Sequence, residues 1–123
     1  MKIHESAEDY LEKILMLREQ KGSVRSIDIA VAMGFSKPSV SIAMKNLREN
    51  GYISVDADGF ITLEEPGMEI ARRIYDRHRK LTAFFVALGV DPDIAAHDAC
   101  KIEHDLSEET YSKMIAFAEQ YKQ

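Results

Sequence analysis

The hydrophobic period changes twice along this chain, and that change constrains the fold more than any other feature. Up to Asn50 the apolar residues recur at three- and four-residue spacing, as on helices. Between Tyr52 and Leu63 they form two short β-rich runs, Tyr52, Ile53 and Val55, then Phe60, Ile61 and Leu63. Asp56-Ala57-Asp58-Gly59 separates the runs, and an Asp-Gly turn between such runs predicts a hairpin. After Glu65 the helical spacing returns and persists to the end of the sequence.

Local signals divide the helical stretches. Tyr10, Leu11, Ile14, Leu15 and Leu17 predict a first helix over 6–19, with Glu8 and Asp9 in its first turn and Gly22 beyond its end. Ser26 is the expected N-cap of a short helix over 27–33, which Gly34 terminates. Ser36 is the expected N-cap of a third, with Pro38 in its first turn, Val40, Ala43, Met44 and Leu47 as its buried stripe, and Gly51 just past its end. A long helix over 66–88 carries Ile70, Ile74, Leu81, Phe84 and Phe85. Asp91-Pro92 opens a fifth helix reaching about residue 105, and Ser107-Glu108-Glu109 opens a sixth. The chain is therefore expected to be mainly α. A winged helix-turn-helix with a β-hairpin wing over residues 1–65 precedes a helical domain over 66–123.

Several function classes are excluded early. No apolar run approaches the roughly 20 residues a membrane span needs, and the N-terminus lacks the apolar core of a secretory signal. Cys100 is the only cysteine, so the chain forms no intramolecular disulfide, and a cytoplasmic protein is expected. The net charge of −5 argues against a general polyanion binder, yet the charge is unevenly spread. Residues 21–50 hold five basic side chains against two acidic, whereas residues 90–123 hold three against eight. One basic segment in an acidic chain suits a specific DNA reader whose remaining surface repels other DNA.

That basic segment is the third helix and its surroundings. A reading helix needs an exposed N-terminal half able to enter the major groove of double-stranded DNA. Here it offers Ser36, Lys37, Pro38, Ser39 and Ser41, small or basic residues that let the backbone approach and hydrogen-bond bases or phosphates. Lys45 and Arg48 follow at i, i+3 spacing for phosphate oxygens, and Lys21 and Arg25 are expected to flank the groove.

A second constellation has the composition of a metal site. Asp9 and Glu12 share a face of the first helix, and His78 lies on the fourth. Cys100, Glu103 and His104, at i, i+3 and i+4, are expected on one face of the fifth helix, with His97 one turn earlier. Three donor types on one face need partners from other helices to complete a coordination shell, and Asp9, Glu12 and His78 are available.

These stretches resemble the DtxR/MntR metalloregulators (diphtheria toxin repressor and manganese transport regulator). The matching segments are Glu8-Asp9-Tyr10-Leu11-Glu12, the run from Phe35 to Ser41, the His78 region, and Asp98-Ala99-Cys100-Lys101-Ile102-Glu103-His104. The resemblance implies a metal-dependent repressor acting as a homodimer on a palindromic operator. Its metal would be held by Asp9, Glu12, His78, Cys100, Glu103 and His104, and it would be a short form without the SH3-like domain. The manganese branch has Glu at the position of Cys100 and the iron branch has Met at that of Asp9, so this chain combines the two. Carboxylate and imidazole donors favour Fe²⁺ or Mn²⁺, with the thiolate inclining toward iron; Zn²⁺ or Co²⁺ would also bind in vitro. Met114, Ile115, Phe117, Ala118 and Tyr121 give the last helix an apolar face for dimerisation. The alternatives are a winged-helix repressor responding to the redox state of Cys100 or to a small organic ligand. A metal-dependent hydrolase is disfavoured, because the sequence offers no second acid–base pair.

Overall fold

Residues 5–120 are described by a computed structural model, and Tyr121 of the expected apolar face lies outside them. The elements run α1 (Glu5–Lys21), α2 (Ser26–Met33), α3 (Lys37–Glu49), β1 (Ile53–Val55), β2 (Ile61–Leu63), α4 (Glu65–Ala87), α5 (Pro92–Ile102) and α6 (Glu108–Gln120). The fold is mainly α with one hairpin, as the change of period predicts. The chain forms two compact units, Met1–Arg73 and Ile74–Gln123, dividing within α4.

In the first unit the turn into α3 is set by Ser36, whose Oγ accepts the Ser39 N–H at 3.3 Å, with Pro38 in the first turn where its missing N–H costs nothing. The helix ends in a Schellman arrangement, with Tyr52 N–H on Leu47 O and Gly51 N–H on Arg48 O. Gly51 has φ 80°, a conformation that a side chain disfavours. The start of α2 differs from expectation. Ser26 lies inside the helix, Arg25 is the cap residue, and the Asp28 carboxylate reaches back to accept the Arg25 N–H at 2.9 Å. An acidic group one turn into a helix satisfies the orphan N–H and favours the dipole, so the cap is supplied from within.

The hairpin pairs Ile53 with Leu63, Ser54 with Thr62 and Val55 with Ile61. Asp56 Oδ1 holds its turn closed by accepting the N–H groups of Asp58 and Phe60, each at 2.9 Å. The Ile61 N–H also bonds Val24 O at 2.8 Å, and Arg25 bridges to Phe60, which ties the entry of α2 to the hairpin. Leu11, Ile14, Val24, Ile29, Val40 and Ile53 are buried and form the core of this unit. Burying an aliphatic side chain of this size contributes about 1.5–3 kcal/mol. Gly67, at the start of α4, packs so closely on the Tyr52 carbonyl that a Cβ there would overlap the oxygen.

In the second unit Asp91 Oδ2 caps α5 by accepting the N–H groups of Asp93 and Ile94, and Ser107 Oγ caps α6 by accepting that of Thr110 at 3.0 Å. Leu81, Ala99 and Tyr111 form the core here, with Phe85, Ile102, Leu106, Met114 and Ile115 packed against them. The fifth helix is shorter than its sequence suggests. It ends at Ile102, and Glu103 to Leu106 form a turn in which Asp105 N–H bonds Ile102 O. The carbonyls of Glu103 and Leu106 accept bonds from the Arg77 guanidinium instead of from a continuing helix. Among the described residues no helix is long and apolar enough to cross a membrane.

Candidate metal centre and nucleic-acid interface

The second unit brings four of the expected ligands together. Glu103 is fully buried at the end of α5, and its Oε2 lies 3.0 Å from His78 Nδ1 of α4. Its other oxygen, Oε1, lies 3.5 Å from His104 Nε2 and makes no hydrogen bond among the described residues. The Cys100 sulfur is within 4.8 Å of a Glu103 carboxylate oxygen, although Cys100 as a whole is exposed. Because α5 stops at Ile102, Glu103 and His104 reach this place from the following turn and not from a continuous helical face. His97 is exposed on α5.

In the first unit Glu12 is buried and Asp9 half-buried on α1, the two on one face as their spacing requires. Glu8, next to Asp9, is engaged differently: its Oε2 accepts from Arg73 Nη2 at 2.9 Å.

Arg77 gives the sequence reader no signal, since a charged residue on a long helix reads as a surface group. It is nevertheless buried. Its Nη1 donates to Glu103 O at 3.0 Å and to Leu106 O at 2.9 Å, and its Nη2 donates to Glu108 Oε2 at 2.9 Å. The guanidinium also stacks on the Tyr111 ring, 4.7 Å from its centroid, and burial pushes the Tyr111 phenol above its ordinary pKa.

The other candidate surface is the outer face of α3. Arg25, Ser36, Lys37, Pro38, Ser39, Ser41, Lys45 and Arg48 are all exposed, while Val40, Met44 and Leu47 on the opposite face are buried. The Ser36 and Ser39 hydroxyls bond each other at 2.8 Å. The Arg25 guanidinium stacks on Phe60 of the hairpin, 4.2 Å from the ring centroid. Lys21 pairs with Asp28 at 2.9 Å, and that hydrogen bond, with the one from the Arg25 backbone, lowers the Asp28 pKa. Ile42 is 64% exposed on the same face as Ser39 and Lys45, at the i, i+3 spacing that would have marked it.

Comparison with known proteins decides between the readings left open by composition. Residues 2–59 match the family described as iron dependent repressor, N-terminal DNA binding domain. Residues 64–123 match its metal binding and dimerisation domain. A helix-turn-helix transcriptional regulator of Methanocaldococcus jannaschii is 35% identical over 120 residues, which cover 96% of each chain. The transcriptional regulator MntR of Salmonella typhimurium is 34% identical over 95% of this chain and 74% of its own. This chain belongs to the DtxR/MntR family of metal-dependent repressors. Among solved structures, a manganese-dependent transcriptional repressor in complex with manganese superposes with a TM-score of 0.81 at 29% identity, over 89% of this chain. The manganese regulator SloR does so with a TM-score of 0.80 at 27% identity, over 97%. The chain spans about half the length of these solved structures, 51% and 55% respectively.

Members of this family are DNA-binding transcription regulators and not enzymes, so the acid–imidazole cluster is not read as a hydrolytic centre. The donors present fit a divalent transition metal. A fully buried carboxylate oxygen that makes no hydrogen bond among the described residues, with imidazoles on either side of its group and a thiol nearby, is costly without a cation.

Proposed function

We propose that this chain is a metal-activated repressor that binds a palindromic operator as a homodimer in the cytoplasm and controls iron or manganese homeostasis genes. Residues 1–65 read the DNA, and residues 66–123 bind metal and dimerise. The observation that carries the reading is the buried Glu103 carboxylate held between His78 and His104. The metal ligands are Asp9, Glu12, His78, Cys100, Glu103 and His104, and the metal is Fe²⁺ or Mn²⁺. The names of the relatives, manganese regulators among them, support that choice.

The mechanism follows from charge. Without metal, the Asp9, Glu12 and Glu103 carboxylates repel one another, so that α1 and the dimerisation helices are loosely coupled. A bound cation supplies the positive charge that offsets this repulsion. Asp9 and Glu12 then hold α1 in one arrangement, which selects the spacing of the two α3 helices in the dimer that matches two operator half-sites. Ser36, Lys37, Pro38, Ser39 and Ser41 meet bases and nearby phosphates, while Arg25, Lys45 and Arg48 meet phosphates. The coupling is reciprocal, so operator DNA tightens metal binding by the same factor, about 5- to 150-fold for a coupling of this kind.

Dimerisation is supported by the second unit's apolar groove between α4 and α6. It has a volume of about 460 Å³ and is lined by Phe84, Ala87, Leu88, Ile115, Phe117 and Ala118. Leu88 and Phe117 there are more than half exposed in the single chain. Footprinting on the chain's own promoter tests the reading. Two protected half-sites related by a dyad, appearing with Mn²⁺ or Fe²⁺, are expected. An unprotected promoter in every metal would contradict it.

A further inference from the structure

Arg77 and His78 are consecutive on α4, so their side chains diverge by about 100° around the helix. Both nevertheless end on the same residue. His78 Nδ1 meets the Glu103 carboxylate at 3.0 Å, and Arg77 Nη1 donates to the Glu103 carbonyl at 3.0 Å. One helix residue grips the side chain of Glu103 and its neighbour grips the backbone.

This double hold matters because of where Glu103 lies. It follows the last residue of α5, and the regular helix does not continue through the turn from Glu103 to Leu106, where the Asp105 and Leu106 N–H groups, at 3.0 and 3.3 Å, both fall on the Ile102 carbonyl. The guanidinium closes that turn by bonding the Glu103 and Leu106 carbonyls together, and its third bond reaches Glu108 in the first turn of α6. Stacking on Tyr111 of α6 holds the guanidinium plane in place. A planar fork with five donors suits this task, and a lysine ammonium cannot reproduce its geometry.

We propose that Arg77 is a positioning residue for the metal site: it fixes the turn that presents Glu103 and His104, and it ties that turn to α6. It is not itself a ligand. The inference rests on the reading of His78, Glu103 and His104 as ligands. It adds that their affinity depends on a cation that never touches the metal. Losing a group that orients a ligand typically weakens metal binding about 10- to 100-fold.

The test is Co²⁺ binding to the full chain by competition with a chromophoric chelator, together with the visible absorption spectrum of bound Co²⁺, for wild type, Arg77→Lys and His78→Ala. Arg77→Lys keeps the charge but loses the fork. Its Co²⁺ affinity is expected to fall at least tenfold, with a changed visible spectrum and a far-ultraviolet circular dichroism spectrum like that of wild type. An affinity within twofold of wild type and an unchanged spectrum would overturn the inference. If Arg77→Lys does not fold, Glu108→Ala carries the test, because it removes only the acceptor at the outer end of the guanidinium. A threefold or greater loss of affinity then supports the proposal, and no loss overturns it. Wild-type protein that binds no Co²⁺, or His78→Ala that binds it as wild type does, would overturn the ligand reading and this inference together. Intact wild-type binding and a damaged His78→Ala, with Arg77→Lys unaffected, would overturn this inference alone.

Discussion

Glu103→Gln is predicted to change stability in opposite directions with and without metal. The carboxylate is fully buried, and one of its oxygens makes no hydrogen bond among the described residues. A buried charged group short of partners costs more than a neutral one of the same shape. Glutamine keeps an oxygen for His78 Nδ1, 3.0 Å away, and removes the charge. The variant in chelator is therefore expected to be about 1 kcal/mol more stable than wild type. Metal at a hundred times its Kd stabilises wild type by about 2.7 kcal/mol. For a chain of 123 residues that corresponds to a rise in Tm of about 10 °C. The amide is a far weaker ligand, so the variant should gain little of this. The assay is a thermal melt of both proteins in chelator and in excess Mn²⁺. A variant less stable than wild type in chelator, or one gaining the full rise with Mn²⁺, would refute the reasoning.

Two further predictions concern the first unit. Gly67→Ala places a methyl group on the Tyr52 carbonyl and should cost about 1–3 kcal/mol in urea denaturation; a loss below 0.5 kcal/mol would show that the contact is relaxed at no cost. Asp28→Ala removes the carboxylate that accepts the Arg25 N–H and should cost about 1 kcal/mol at neutral pH. Because folding depresses the Asp28 pKa below 3.8, its contribution is present above the unfolded value and fades as pH falls through the folded one. The difference between wild type and Asp28→Ala, measured from pH 7 downward, should therefore hold to about pH 4 and shrink below it; a difference that grows there would contradict the assignment.

What was legible in the sequence was local. Ser36 before Pro38, Gly51 after the apolar stripe, the Asp56–Gly59 turn and Asp91-Pro92 each carry their structural instruction within four residues, and each is used as read. The candidate ligands could be singled out because Cys, His and carboxylates are chemically distinctive. The end of α5 departs from the sequence expectation at a partner distant in the chain. The sequence continues the helix to about residue 105, whereas α5 ends at Ile102 and Arg77, 26 and 29 residues earlier, bonds the Glu103 and Leu106 carbonyls. The start of α2 departs locally: Ser26 is the residue type that usually caps, yet Asp28 accepts the Arg25 N–H from inside the helix. Ile42 escapes the sequence reading because an aliphatic residue in a helix normally belongs to the core, and this one is exposed on the surface proposed to meet DNA.

The account turns on metal-dependent DNA binding through the Glu103 cluster. The most direct measurement is fluorescence anisotropy of labelled promoter DNA with wild type and His78→Ala, anaerobically, in chelator and in Fe²⁺ or Mn²⁺. Wild type should bind at least tenfold more tightly with metal, and His78→Ala should bind equally weakly in both conditions. Tight binding by wild type in chelator, or full metal activation of His78→Ala, would contradict the account.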